Sequence, residues 1–254
     1  TIGGELHTLR LVPAASGTRF EVPGDATTWL WSKGDRVTVS VRGKTYPECV
    51  VPSAAVEPFR ARGNEPFWNL ELSRDKLTFR TMDGSTVNTP APRPEPVSGG
   101  MRHAARTEAH DVVATVMDRA CTDNMSGMPY PNTVTVVVDG KEYRGCGGEP
   151  VALLRGKEWV VEDIDRGGII DRSRVTLNFD EKNRVFGRAG CNTYNGGYTL
   201  TGEGLTVTSP ASTMMACAES LMQQEQRFLE ILGSVERFEL SENGALILHA
   251  AKGR

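Results

Sequence analysis

At 254 residues, with 39% hydrophobic and 24% charged side chains, the chain has the composition of a folded globular protein and the length of two or three ordinary domains. Its net charge of −3 is evenly spread: 6 basic against 5 acidic residues in 1–50, 11 against 13 in 51–150, and 12 against 14 in 151–254. No segment is basic enough to track a phosphate backbone, which excludes nucleic acid as an expected partner. No apolar run approaches the roughly 20 residues needed to cross a bilayer as a helix.

The first fifty residues read as short strands. LHTLRLV, TRFEV, TTWLWS, RVTVSVR and KTYPECV are separated by SG, PGD, KGD and RGK turns. Such dense hairpin punctuation suits a small barrel or sandwich, although fifty residues make a thin core. VPSAAVEP (51–58) reads as a linker. Two strands around FWNLELS and KLTFRTM follow, and TPAPRPEPVSGG (89–100) reads as an extended loop. His103–Ala120 fits strand or helix. TVTVVVDGKEY is a hairpin turned at Asp139-Gly140. Beyond Val151, WVVEDI, RVTLNF, RVFGRAG and YTLTGEGLTVT alternate as strands. Residues 218–232 carry the spacing of one amphipathic helix, with Leu221, Met222, Phe228, Leu229 and Leu232 as its apolar face. FELSENGALILHA is a last hairpin, turned at Asn243-Gly244.

Five cysteines are present: Cys49, Cys121, Cys146, Cys191 and Cys217. Cys121/Cys146 and Cys191/Cys217 fall in separate sequence blocks and can close two local loops. Cys49 is then a free thiol or has its partner upstream of Thr1. The start at Thr1, without Met, fits a mature exported chain or a trimmed one.

Three constellations stand out. The first is Ser16-Gly17-Thr18-Arg19-Phe20, then Trp29-Leu30-Trp31-Ser32-Lys33-Gly34, then Cys49. On chemistry alone, Ser-Gly and Lys-Gly are ordinary turn pairs. Their order nevertheless resembles the C-terminal half of the periplasmic and membrane-bound inhibitors of c-type lysozyme, the MliC/PliC family, over residues 5–50. The resemblance implies that Ser16 and Lys33 enter the lysozyme cleft. A retaining glycosidase holds two carboxyl groups about 5–5.5 Å apart, which a cation and a hydroxyl would engage. Phe20 stands where the family usually has Tyr.

The second constellation is Gly63-Asn64-Glu65-Pro66-Phe67-Trp68 with Cys121-x-Asp123-x-Met125-Ser126-Gly127 and Gly145-Cys146-Gly147-Gly148. It resembles an uncharacterised bacterial lipoprotein family over residues 57–148, and that resemblance carries no activity. Cys121, Asp123, His103 and His110 are candidates for a metal site, or Cys121 for a nucleophile with a histidine base. A Cys121–Cys146 disulfide is the simpler reading, because the lone CxD lacks paired zinc-ligand spacing. Phe67 and Trp68 read as core anchors.

The third constellation is Gly187-Arg188-Ala189-Gly190-Cys191-Asn192-Thr193-Tyr194-Asn195-Gly196-Gly197-Tyr198, then Thr213-Met214-Met215-Ala216-Cys217 and Glu225. With Trp159 it closely resembles the META/HslJ-like domain over residues 151–250. Gly190, Gly196 and Gly197 read as sharp turns or close approaches, and Asn192 and Asn195 as backbone-bonding turn residues. An active thiol here needs a base, and the nearest histidine in sequence is His249. A structural Cys191–Cys217 disulfide is the expectation, since export permits it.

The expected protein is mainly β with α+β character. It has three modules: 1–50 as a partial antiparallel β-barrel, 57–148 as a β-rich module, and 151–254 as a META-type module with one helix. The expected function is a periplasmic or outer-membrane-anchored bacterial binding protein, not an enzyme, that inhibits c-type lysozyme. Other envelope proteins are further expected partners; no cofactor or metal is expected, and membrane contact runs only through an N-terminal lipid anchor outside this chain. The alternative is an envelope-stress or structural interaction protein without inhibitory activity.

Overall fold

A computed structural model describes residues 7–14, 16–33, 36–50, 58–202 and 204–251. The chain divides into two compact units, Thr1–Glu57 and Pro58–Arg254. The linker expected at 51–58 lies, apart from Pro58, outside the described residues.

In the first unit, β1 (Arg10–Val12), β2 (Thr18–Val22), β3 (Asp25–Lys33), β4 (Arg36–Val41) and β5 (Lys44–Thr45) form an antiparallel sheet in chain order. The short β6 (Cys49–Val50) pairs with the start of β4. Register sorts the side chains by face. Leu11, Phe20, Leu30 and Val39 share one row, while Arg19, Trp31 and Thr38, then Glu21, Trp29 and Ser40, share the opposite face. Among the described residues of this unit the buried side chains are polar ones, Thr28 and Ser40. The Thr28 hydroxyl donates to Asp25 at 2.6 Å and accepts from the Arg42 N–H at 2.9 Å. The Ser40 hydroxyl donates to the Thr27 carbonyl at 3.1 Å. Hydrogen bonds from the Thr27 and Thr28 hydroxyls hold the Asp25 carboxyl down at about 2.

The second unit opens with β7 (Phe59–Asn64), β8 (Phe67–Leu72), β9 (Lys76–Thr81), β10 (Thr86–Pro90), β11 (Pro94–Val97), β12 (Gly100–Arg106) and β13 (Asp111–Met117). A small β14 (Cys121–Thr122) and β15 (Pro129–Tyr130) pair precedes β16 (Asn132–Val138) and β17 (Lys141–Gly147). Nine of these strands make one antiparallel sheet, ordered β10-β9-β8-β7-β17-β16-β13-β12-β11. Two meanders are thus joined where β7 pairs with β17. Their inward side chains, including Trp68, Leu70, Phe79, Val112, Val136 and Tyr143, form one apolar core. The Phe79 ring centroid lies 5.8 Å from that of Trp68 and meets Tyr143 edge-on at 4.9 Å.

Two sequence expectations change here. The Pro-rich stretch at 89–100 is not all loop: Pro94–Val97 is β11, the outermost strand of the sheet. An edge strand has one side free of partners, so it tolerates prolines that lack an N–H. Phe67 is 42% exposed while Trp68 is 1% exposed. Neighbours on a strand point to opposite faces, so only one of the pair reaches the core.

A one-turn 3₁₀ segment (Pro150–Leu153) leads to a five-stranded antiparallel sheet in chain order: β18 (Trp159–Val160), β19 (Thr176–Phe179), β20 (Arg184–Arg188), β21 (Thr193–Thr201) and β22 (Gly204–Ser212). Helix α1 (Glu219–Leu232) and the hairpin β23 (Val235–Leu240) and β24 (Leu246–Ala250) follow. Their core takes in Leu177, Val185, Tyr194, Leu205, Phe228 and Leu232, and it extends to Met128, Tyr130 and Cys146 of the preceding block. The helix buries most of the expected face, with Leu229 packed partly buried against the core, and Met222 alone of that face turns out. Glu225, Phe228 and Leu232 are buried, while Met222 is 46% exposed. The inward line of positions 221, 225, 228 and 232 follows helical spacing, and position 222 falls one residue off it. Phe228 packs edge-on against Tyr194 at 5.4 Å. Phe228→Ala in the intact chain should lower the stability of the second unit by about 3–5 kcal/mol in a denaturant melt; a loss under about 1 kcal/mol would contradict this packing.

Candidate functional site

Strands β2 and β3 bring Ser16 and Lys33 to one end of one hairpin. Thr18 pairs with Ser32, so the Ser16-Gly17 loop precedes β2 where β3 ends. Gly17 has φ +73°, and a Cβ there would meet the Ser32 carbonyl oxygen at 2.3 Å. The absence of a side chain therefore lets the loop lie directly on the Ser32–Lys33 backbone. The Trp31 indole N–H donates to the Ser16 carbonyl at 2.9 Å and fixes the loop from beneath. Ser16 and Lys33 are both exposed. Ser16 lines a shallow hollow together with Pro13, Arg19 and Trp31. Arg19 stacks over the Trp29 ring at 4.9 Å and pairs with Glu21 at 2.8 Å. Gly34, the tip of the Lys-Gly turn, lies outside the described residues. Cys49 is a free, exposed thiol on β6, opposite Val37.

The second constellation forms one hydrogen-bonded knot. Asp123 is 7% exposed. Its carboxylate accepts from the Met125 N–H at 3.0 Å, the Ser126 N–H at 2.8 Å, the Ser126 hydroxyl at 2.9 Å and Asn64 Nδ2 at 3.0 Å. Burial pushes this carboxyl up, but the bonds from Ser126, Asn64 and Met125 outweigh it and hold it below the usual range. A Cβ on Gly145 would meet the Arg62 carbonyl at 2.0 Å, so β17 and β7 can approach only with glycine there. Cys121 and Cys146 are disulfide-bonded, with Cα atoms 5.4 Å apart. The Trp68 indole donates to the Arg144 carbonyl at 3.2 Å.

The third constellation is built the same way. Cys191 and Cys217 are disulfide-bonded, with Cα atoms 6.1 Å apart. Glu225 accepts from the Asn192 N–H at 2.8 Å and from Asn192 Nδ2 at 3.0 Å. Asn192 Oδ1 accepts from the Thr213 hydroxyl at 2.7 Å and the Met215 N–H at 2.8 Å. Burial raises the Tyr194 phenol, whose hydroxyl donates to the Thr176 carbonyl at 2.8 Å.

The candidate chemical groups are thereby dispersed. Cys121 is in a disulfide and Asp123 is occupied by four donors. His110 bonds to Asp139 at 2.8 Å, and burial lowers His103. Among the described residues no group of three His, Cys, Asp or Glu side chains could hold a metal ion. Sequence reasoning did not foresee Asp123 as the centre of a network. The signal was Asp123-x-x-Ser126, the pattern of a side chain that closes its own turn.

Asp123→Ala should destabilise the second unit at neutral pH by about 2–3 kcal/mol, since buried donors lose their acceptor. Because the folded-state pKa of Asp123 is depressed, its contribution is complete above the ordinary carboxylate range and is lost as pH falls through the folded value. The gap between wild type and variant in denaturant melts should therefore narrow in acid. A gap that stays constant with pH would contradict the assignment.

Comparison with known families divides along the same chain. Residues 1–47 match the family model described as membrane-bound lysozyme-inhibitor of c-type lysozyme, and residues 152–254 match that of the META domain. No curated protein matches the chain. The first block is thus similar to a lysozyme-inhibitor family of the bacterial envelope, and the last carries the hallmarks of a META domain.

Proposed function

We propose that this chain is a bacterial envelope protein whose first unit inhibits c-type lysozyme by inserting Ser16 and Lys33 into the active-site cleft. The observation that carries the reading is their shared hairpin end, within the segment that matches the inhibitor family. The chemistry suits the target. In a retaining glycosidase one carboxyl group is ionised and the other protonated, about 5–5.5 Å apart. Lys33 supplies the cation for the first, and Ser16 a compact hydroxyl for the second. A rigid loop loses little conformational entropy on entering a cleft, and Gly17 with the Trp31–Ser16 bond provides that rigidity.

The second unit acts, on this reading, as a binding or spacing body of two modules, 57–148 and 151–254. Its motif residues spend their hydrogen-bonding capacity on one another, as in the Asp123 and Asn192–Glu225 networks. That same observation supports the alternative, an envelope interaction protein with no inhibitory activity.

Titration of c-type lysozyme with the intact protein separates the two. Lys33→Ala should weaken inhibition more than tenfold, because an anionic carboxylate is left buried without a partner. Ser16→Ala should weaken it less, through loss of a neutral bond. Rising ionic strength should slow association more than it speeds dissociation. Equal potency of wild type and Lys33→Ala, or no inhibition at micromolar protein, would move the assignment to the interaction protein.

A further inference from the structure

Within the second unit a cleft of about 660 Å³ opens between the outer face of β7–β8–β9 and the segments around Glu149–Val151 and Thr199–Gly202. Small-molecule sites commonly measure roughly 300–1,000 Å³. Sheet register sets the cleft wall. Arg60, Glu71 and Thr78 form one cross-strand row, and Arg62, Asn69 and Arg80 the next, all on the face opposite Trp68 and Phe79. Arg155 lines the other side.

The charges in this cleft do not cancel. Four arginines, Arg60, Arg62, Arg80 and Arg155, line it against two carboxylates, Glu71 and Glu149. Arg60 faces Glu71 at 3.9 Å. Arg155 is occupied by neutral partners, the Tyr198 hydroxyl at 2.7 Å and Asn183 Oδ1 at 2.9 Å. Among the described residues neither Arg62 nor Arg80 has a carboxylate within ion-pair distance. Arg62 instead lies over the Tyr130 ring at 5.0 Å, which pre-sets its guanidinium. Arg62 and Arg80 stand on either side of Asn69, two strand spacings or about 10 Å apart at the backbone. Two such forks flanking a carboxamide suit an oxyanion, since each offers planar, charge-assisted donors. Met128, Val151 and Leu200 give the cleft an apolar side as well.

We infer that this cleft binds a small hydroxylated anion, a sugar or polyol bearing a carboxylate or a phosphate. Arg62 and Arg80 take the acidic group, Asn69 a neighbouring hydroxyl, and the apolar side the carbon skeleton. This site lies in the second unit and is independent of the lysozyme reading, which concerns the first.

The test is calorimetric titration of the full chain with three sugars of one ring shape: glucuronate, glucose 6-phosphate and glucose. At least one acidic sugar should saturate the protein below about 1 mM and glucose should not, with the acid that binds identifying carboxylate or phosphate as the preferred group. Affinity should fall with added salt. Arg80→Gln, at an exposed position, should weaken binding at least tenfold with an unchanged melting temperature. Arg62→Lys, which keeps the charge but loses the planar fork and the stack on Tyr130, should also weaken it. No saturation by either acidic sugar at about 10 mM, equal binding of glucose, or full affinity in a folded Arg80→Gln protein would overturn the inference.

Discussion

An acceptor taken out of water must find donors inside, and this constraint organises the second unit. Asp123 and Glu225 are both buried carboxylates, and leaving either unmatched would cost more than a surface contact could return. Each takes donors from a segment distant in sequence, Asn64 for Asp123 and Asn192 for Glu225, and Asp123 adds those of its own 125–126 turn. Asn192 in turn ties the 213–215 segment to the helix. The motifs that mark these blocks in sequence are thus the parts of two polar knots, each stitched by a disulfide nearby. The glycine at position 145 belongs to the first knot, because it lets β7 and β17 meet.

The first unit meets the same constraint with less core. Among its described residues the buried side chains are hydroxyls, and an indole-to-carbonyl bond and a close backbone approach hold its hairpin end. Stability drawn from local hydrogen bonds rather than apolar burial suits a surface that must present two side chains in fixed relation. It also separates roles along the chain. The candidate contact residues Ser16 and Lys33 are exposed at the hairpin end, whereas Asp123, Asn192 and Glu225, the polar centres of the second unit's motifs, are buried. Function in that unit then rests on surfaces the motifs support, such as the arginine-lined cleft.

Much of the fold was legible from periodicity. The hairpin at Asp139-Gly140 and the single helix at Glu219–Leu232 stood out because turn chemistry and helical spacing are local signals. Where the reading failed, a non-local partner decided. Pro94–Val97 became a strand because β12 offers it an edge, and Met222 stayed outside because Glu225 is drawn inward by Asn192. Phe67 and Trp68 looked alike as aromatics, and the pleat separated them. For the candidate site, the Ser-Gly and Lys-Gly pairs were visible as turns. Their proximity depends on the pairing of Thr18 with Ser32, which no local pattern states. The cleft was invisible in sequence, since Arg62 and Arg80 are eighteen positions apart and meet only through β8.

If the first unit inhibits lysozyme as proposed, the hairpin end carrying Ser16 and Lys33 is the surface that meets the enzyme. Chemical-shift mapping of the isotope-labelled intact chain with unlabelled c-type lysozyme tests it most directly. The largest perturbations should fall on Ser16–Thr18 and Ser32–Lys33, with the Trp31 indole N–H among them. Perturbations confined to residues 58–251, or none at saturating lysozyme, would contradict it.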